Sequence, residues 1–391
     1  MGGLPLFARR RSLSTTGETT GDHNIDNELS FSRLAALNGV NLFSRLNDSN
    51  LLFCSTKDSQ IRWKVFRGSL VLIVIVDNIQ NLNQNHLSLF LDTVFDSLVL
   101  ICGLNELLSQ NIERLKRCLR LTYHLIDYLL FTFISNTLNR IPFLTNSIQY
   151  SMSGQNCHQF MQSLVESGAQ LAQSSFCWLF INKKLVSGSH CFWTRLNSCK
   201  DALLITNLVH SLSDTDLMQT KEIAVYLPDN CPNSLSRLIV SQLSKGVVLC
   251  LLCGEQPSID MIDTEIIVPL MDSKIHSEKF SKYLRNEIQT SFTVDNNIIG
   301  FFIWRKDLKV FTIFGKIEDK INGLMQSIDW ENSDKYESYS INESSKCYTI
   351  SSENSKICIL FHFDITVNQM RTIATKTLNS IIKDKHIWPQ I

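Results

Sequence analysis

The amino-acid sequence predicts an α+β chain of three related units, each an antiparallel-rich sheet packed by helices. Three observations carry that expectation. Apolar runs at 70–76 (LVLIVIV), 247–253 (VVLCLLC) and 357–361 (ICILF) read as buried strands. Each run is followed by a helical segment, at 87–104, 261–284 and 367–383, and preceded by another, at 29–43, 200–212 and 316–328. Ahead of the second and third of these earlier helices a hairpin is legible. In one, 176–181 turns through Asn182-Lys183-Lys184 into 185–187; in the other, 299–304 turns through 305–308 into 309–314. The repeated order is hairpin, helix, strand group and closing helices, in units of roughly 100 to 150 residues.

The first unit is read over 1–135, with a polar loop at 10–27 (RRSLSTTGETTGDHNIDN). In its middle strand Ile61, Trp63 and Val65 alternate with Arg62, Lys64 and Phe66, which predicts one apolar and one largely charged face. Arg67-Gly68-Ser69 supplies the turn into the apolar run. After Asn111, the residues Ile112, Leu115 and Leu119 form a helical apolar stripe, and Glu113 is spaced to pair with Arg117. Residues 136–174 read as a linker carrying a helix, 175–288 as the second unit, and 289–391 as the third, with a polar insertion at 332–345.

The chain has 391 residues, 44% of them hydrophobic and 19% charged, with zero formal net charge. That is a globular balance, and it lacks the global basic excess that favours nucleic acid. The two seven-residue apolar runs fall far short of the ~20 residues of a spanning helix. The longer stretch 121–144 is interrupted by His124, Asp127, Asn136, Asn139 and Arg140. Residues 1–7 (MGGLPLF) lack the apolar core of a secretory signal, so a soluble intracellular protein is expected. Twelve cysteines without framework spacing then read as free thiols.

Several runs carry a resemblance: LNGVNLF at 37–43, WKVFRGSLVLIVI at 63–75 and NIERLKRCLRLTYHLID at 111–127. VYLPDNCP at 225–232, LCLLCGEQPS at 249–258 and RTIATKTLNSI at 371–381 add to it. In these residues the chain resembles the Fuzzy family of planar-cell-polarity effectors, and the element order is that of longin, roadblock-like domains. The resemblance implies three longin domains in a non-catalytic subunit that pairs with an Inturned-like longin protein. The pair would promote guanine-nucleotide exchange on a Rab-family small GTPase and join a WD-repeat planar polarity effector. The implied setting is the cytoplasm, the cytoskeleton and the basal body at the cilium base, in ciliogenesis, planar polarity and ciliary vesicle trafficking. A pure longin scaffold without exchange activity is the alternative, and no cofactor is implied.

Against the family pattern, a strand preceding the residues that match 4–9 is expected to be missing from the first sheet: either the start is incomplete or alternative, with an incomplete start the favoured reading, or residues 4–9 take the vacant place. In a longin sheet that strand is central, so its absence would leave neighbouring backbone groups unpaired. In longin pairs the first helix and the neighbouring sheet edge often meet the partner. This assigns Leu34, Leu37 and Val40 on the helix, with Leu51 and Phe53 on a short edge strand, to the interface.

Other motifs carry less. Arg114, Lys116, Arg117 and Arg120 give one helix a basic side, a candidate for peripheral contact with an anionic membrane or an acidic partner. The plainer reading is a solvated face balanced by Glu113. Arg305, Lys309, Lys316 and Lys320 form a second such group. Cys250-Leu-Leu-Cys253 has metal-ligand spacing but lies within a strand, where positions three apart face opposite sides. The pairs Cys157-His158 and His190-Cys191 diverge for a similar reason. Phosphate-binding glycine loops, the nucleophile elbow and the zincin helix motif have no match, so neither a catalytic residue nor a metal is assigned.

Overall fold

The structure is a computed structural model. It describes residues 6–10, 31–77, 82, 84–135, 137–152, 155–213, 219–284, 294–315, 337–341, 345–383 and 388. The chain divides into two compact units, one comprising Met1–Leu144 with Tyr226–Ser234, the other Thr145–Val225 with Leu235–Ile391. The expected helix at 316–328, residues 11–27 of the polar loop and most of the insertion at 332–345 lie outside the described residues.

In the first unit α1 (Phe31–Leu46) leads into β1 (Phe53–Ser55), β2 (Ser59–Phe66) and β3 (Leu70–Asp77). These form an antiparallel sheet in that order, with Trp63 opposite Ile73 and Lys64 opposite Leu72. The β2–β3 turn has positive φ at Arg67 (50°) and Gly68 (71°), so the Arg-Gly-Ser turn falls where it was expected. Residues 6–10 form no strand, and among the described residues β3 pairs with β2 alone.

Helices α2 (Gln84–Cys102), α3 (Leu104–Leu107), α4 (Ile112–Leu121), α5 (Tyr123–Ser135) and α6 (Thr137–Thr145) follow. By length and composition α2 is able to cross a bilayer. It serves instead as the core helix: Leu87, Phe90, Leu91, Val94, Phe95 and Leu98 are all buried. Each such burial contributes about 1.5–3 kcal/mol. Phe90 stacks on Phe133 of α5 at 4.4 Å between ring centroids, which fixes α5 against α2. Arg9 donates through Nε to Asp127 Oδ1 at 2.9 Å and lies over the Tyr123 ring, so the described N-terminal residues run along α5.

Two further sheets share one strand order, and their residues belong to the second unit except for those within 226–234. The first of them contains β5 (Phe176–Ile181), β6 (Lys184–Gly188), β7 (Lys221–Leu227), β8 (Cys231–Ser244) and β9 (Val247–Cys253), arranged β6-β5-β9-β8-β7. The other contains β10 (Ile298–Arg305), β11 (Val310–Gly315), β12 (Glu337–Ile341), β13 (Lys346–Ser351) and β14 (Ser355–Phe361), arranged β11-β10-β14-β13-β12. The order is repeated strand for strand, so the internal repeat read from apolar runs is a repeat of topology. The β5–β6 turn needs two residues, Asn182 and Lys183, both at positive φ; Lys184 is already paired with Ile181.

Residues 136–174 supply more than a connection. They contain α6, then β4 (Ile148–Gln149), which pairs in parallel with β11, and then α7 (Gln155–Leu171). Tyr150 donates its N–H to Phe311 O at 2.8 Å, and Ser151 donates to Leu185 O at 2.8 Å. One short segment therefore satisfies the edge strands of both sheets, β11 of one and β6 of the other. On α7, Met161, Leu164, Val165 and Ala169 join a core with Cys177, Leu179, Leu249 and Leu251.

Helix α8 (Asp201–Ser211) is buried from Asp201 to Val209, and Asn197 ahead of it donates to Leu308 O. The single helix expected at 261–284 is instead α9 (Ile259–Ile262), a π-turn (Asp263–Ile267), α10 (Val268–Asp272) and α11 (Lys274–Leu284). Pro269 has no N–H to continue the ladder, and Ser273 is extended, which breaks the run. The last helix, α12 (Val367–Lys383), has the expected bounds and buries Met370, Ala374, Leu378 and Ile381 along one stripe.

Candidate docking surface

The most exposed apolar surface of the first unit gathers on α1 and the loop after it. The helix ends where Ser44 ties the turn together. Ser44 Oγ accepts from Leu51 N at 3.1 Å, and Ser44 O accepts from Ser49 N at 2.9 Å. Asp48 takes a positive φ of 52°, which lets the chain reverse into β1. Trp63 N then donates to Leu52 O at 3.0 Å, fixing this turn to β2.

On that pinned frame Val40, Phe43, Leu46 and Leu52 are 54%, 68%, 83% and 53% exposed. Of the residues expected at the interface, Val40 is exposed, while Leu37, Leu51 and Phe53 are half-buried. Leu34 lies in α1, but its side chain is outside the described residues. Sequence reasoning missed Phe43, Leu46 and Leu52. The available signal was that α1 carries more apolar residues than one buried stripe requires.

The first sheet has exposed apolar residues of its own. Strand neighbours point to opposite sides and directly paired residues share a side. Register therefore puts Arg62, Lys64 and Phe66 with Val74, Leu72 and Leu70 on one face, and Ile61, Trp63 and Val65 with Ile75, Ile73 and Val71 on the other. The expected alternation is present, but the burial runs against intuition. The face carrying the charges packs on α2: Lys64 Nζ donates to Asp92 Oδ2 at 2.7 Å, and Phe66 stacks on Phe95 at 4.3 Å. The other face, apolar over 61–65 and 71–75, is left partly open, with Trp63 buried but Val65 and Ile75 exposed. An open apolar sheet face, like the exposed apolar flank of α1, is chemistry for docking a second folded surface.

The basic helix is α4, whose N-terminus is capped by Asn111 Oδ1 accepting from Arg114 N at 3.1 Å. Leu115 and Leu119 are buried and Ile112 is exposed. The Glu113–Arg117 pair expected from spacing does not form: Glu113 lies 4.0 Å from Lys116, and Arg114 pairs with Glu106 on α3. Arg117 and Arg120 are exposed beside Leu121, itself 71% exposed. The second basic group is weaker than expected. Arg305 makes a two-pronged pair with Asp307 at 2.9 and 2.6 Å, while Lys316 and Lys320 lie outside the described residues.

The cysteine motifs resolve structurally. Cys253 sits in the α7-facing core, and Cys250, an odd number of positions away, faces the other side of β9; burial pushes both thiols up. His158 is buried with Nδ1 3.5 Å from the Tyr150 hydroxyl, and His190 is exposed. In the second unit a cleft of about 220 Å³ lies between α7 and the α9–α11 segment. Its lining is mostly apolar, with Phe160, Leu164, Leu171 and Leu270 beside Ser163 and His276.

Comparison with known proteins agrees with this architecture. Residues 1–129 match the family described as the first longin domain of FUZ, MON1 and HPS1. Residues 172–266 match the second longin domain of FUZ, MON1 and HPS1. The antiparallel sheets, their helical covers and these matches define a longin-domain protein of α+β fold.

Protein fuzzy homolog of Xenopus tropicalis is 26% identical over 427 aligned residues, covering 98% of this chain and 96% of that protein. The homolog of Mus musculus is 32% identical over 266 residues, covering 68% of this chain and 59% of that protein. The homolog of Homo sapiens is 28% identical over 318 residues, covering 80% and 70%. The chain belongs to the Fuzzy family.

Proposed function

We propose that this chain is the non-catalytic subunit of a heterodimeric guanine-nucleotide exchange factor, paired with an Inturned-like longin protein and acting on a Rab-family small GTPase. The observation that supports this reading most is the exposed apolar flank of α1, with Val40, Phe43 and Leu46; Val65 and Ile75 on the sheet of the same unit are exposed as well. A second longin domain presents a rigid helix-and-sheet surface of the kind that buries such a patch. Exchange requires no bond chemistry. A surface that binds the nucleotide-free GTPase more tightly than the loaded form drives release through that difference.

Work at the cilium base, alongside a WD-repeat planar polarity effector, fits a protein that assembles by docking. The exposed Arg117 and Arg120 fit peripheral contact with an anionic membrane. The deciding experiment mixes the purified heterodimer with a panel of Rab proteins loaded with fluorescent GDP. Accelerated release from one Rab supports exchange. Stable binding without acceleration of any Rab would replace it with a scaffold role, and failure to co-purify with the longin partner would remove the pairing itself.

A further inference from the structure

Cys347 on β13 and Cys358 on β14 bring their sulfurs within 3.1 Å of each other, both side chains being buried. The register sets Cys347 opposite Leu360 and Thr349 opposite Cys358, so the thiols meet diagonally across the two strands. Thr349 Oγ1 lies 3.0 Å from the Cys358 sulfur, and Ser340 on β12 stands opposite Cys347 on its other side. We infer that Cys347 and Cys358 are a modification site: a hydroperoxide converts them to a reversible intrachain disulfide, Cys347 attacking and Cys358 resolving.

The surroundings assign the roles. A hydrogen bond from the Cys358 thiol holds the Cys347 pKa below its ordinary value despite burial, with Ser340 of the edge strand standing opposite it. Burial pushes Cys177, Cys250 and Cys358 the other way. The thiolate is the nucleophile, so of these four Cys347 is the one prepared to react. Access comes from β12, the edge strand of this sheet, where Tyr339 and Ile341 are 57% and 54% exposed. Edge strands open locally more easily than core strands.

The chemistry balances. The Cys347 thiolate attacks the outer oxygen of the hydroperoxide; an S–O bond forms, the O–O bond breaks, and the departing alkoxide or hydroxide takes the proton Cys347 released. Cys358 sulfur then attacks the sulfenic sulfur. The S–S bond forms, the S–O bond breaks, and hydroxide leaves as water with the Cys358 proton. Two thiols are oxidised to one disulfide and the peroxide is reduced to alcohol and water. The sulfurs already lie 3.1 Å apart, so a small movement of the two side chains closes the bond, and exchange with an external thiol reverses it.

The test uses the full chain, reduced, freed of reductant and treated with hydrogen peroxide. Remaining thiols are blocked with N-ethylmaleimide in denaturant, and peptides are mapped by mass spectrometry. A linked peptide joining Cys347 to Cys358, lost on adding dithiothreitol, is the expected result. In Cys358→Ser, dimedone is expected to label Cys347 at least tenfold more than it labels Cys358 in Cys347→Ser. If both cysteines still take N-ethylmaleimide at a peroxide level that has consumed the exposed Cys231, the site is refuted. That reading needs only the unsubstituted chain, so it stands even if a variant fails to fold. Equal dimedone labelling in the two variants would overturn the assignment of roles.

Discussion

Lys64 on β2 reaches across to Asp92 on α2, its ammonium 2.7 Å from the carboxylate and 2.8 Å from the Ser88 hydroxyl. This pair helps decide which side of the first sheet is covered. By turning the basic residue inward to a carboxylate on the covering helix, the fold leaves the opposite, apolar face for something else.

The Lys64–Asp92 coupling is measurable. Both side chains remain near 30% exposed, so a double-mutant cycle with Lys64→Ala and Asp92→Ala is expected to give about 0.5–1 kcal/mol in urea unfolding, reduced by high salt. Phe66→Ala, which removes the stack on Phe95, is expected to cost more, about 2 kcal/mol. A zero coupling energy would mean that apolar packing alone orients the sheet.

The α1 flank is where binding and stability separate. Phe43→Asp and Leu46→Asp change exposed positions, so each is expected to alter stability by no more than about 0.5 kcal/mol. In titrations with the proposed Inturned-like longin protein, at least one is expected to weaken binding by about 2 kcal/mol, roughly thirtyfold. Unchanged affinity for both would remove α1 from the interface.

Charge reversal on α4 separates membrane contact from a merely solvated face. With vesicles containing phosphatidylserine, Arg117→Glu with Arg120→Glu is expected to reduce binding tenfold or more, since each basic residue near an anionic surface contributes about 1 kcal/mol. Arg305→Gln is expected to leave binding unchanged, because that guanidinium is already engaged by Asp307. Equal binding by all variants, insensitive to salt, would leave α4 a solvated helix.

His210 is expected to make the chain acid-sensitive. Burial, with Lys183 adding its charge, pushes the imidazole pKa from 6.5 down to about 3; Nε2 is sealed from water and has no hydrogen-bond partner among the described residues. A base with a depressed folded pKa is protonated first in the unfolded chain. Its contribution is therefore complete above pH 6.5 and is lost as the pH falls toward 3, at up to about 1.4 kcal/mol per unit. Urea midpoints from pH 7 to 4.5 are expected to fall less steeply in His210→Gln. Parallel profiles would place the acid sensitivity elsewhere.

Much of the architecture was legible because it is local. The runs 70–76, 247–253 and 357–361 became β3, β9 and β14 almost residue for residue, and 367–383 became α12. Their signals are periodicity and β-branched content, which a few neighbouring residues specify. The helix over 261–284 was misread because Pro269 falls inside an otherwise helical pattern, and the chain accommodates it with a π-turn and a break rather than one kink.

The candidate surface was legible only in part. Val40 and Leu37 were marked, yet Phe43 and Leu46 on the same helix are more exposed than either. An amphipathic pattern states that two faces differ. It does not state which one a distant helix covers.

By itself, then, the sequence determined the α+β class, the apolar strands β3, β9 and β14 and the apolar stripes of the helices, since these follow from interactions within a few residues. Tertiary structure alone decided that Lys64 turns inward and Val65 outward. It also decided that residues 148–151 join the edges of two sheets, and that Cys347 and Cys358 come within 3.1 Å. Each of these depends on segments brought together by long-range packing, where side-chain direction and edge pairing are set by the partner and not by the local chain.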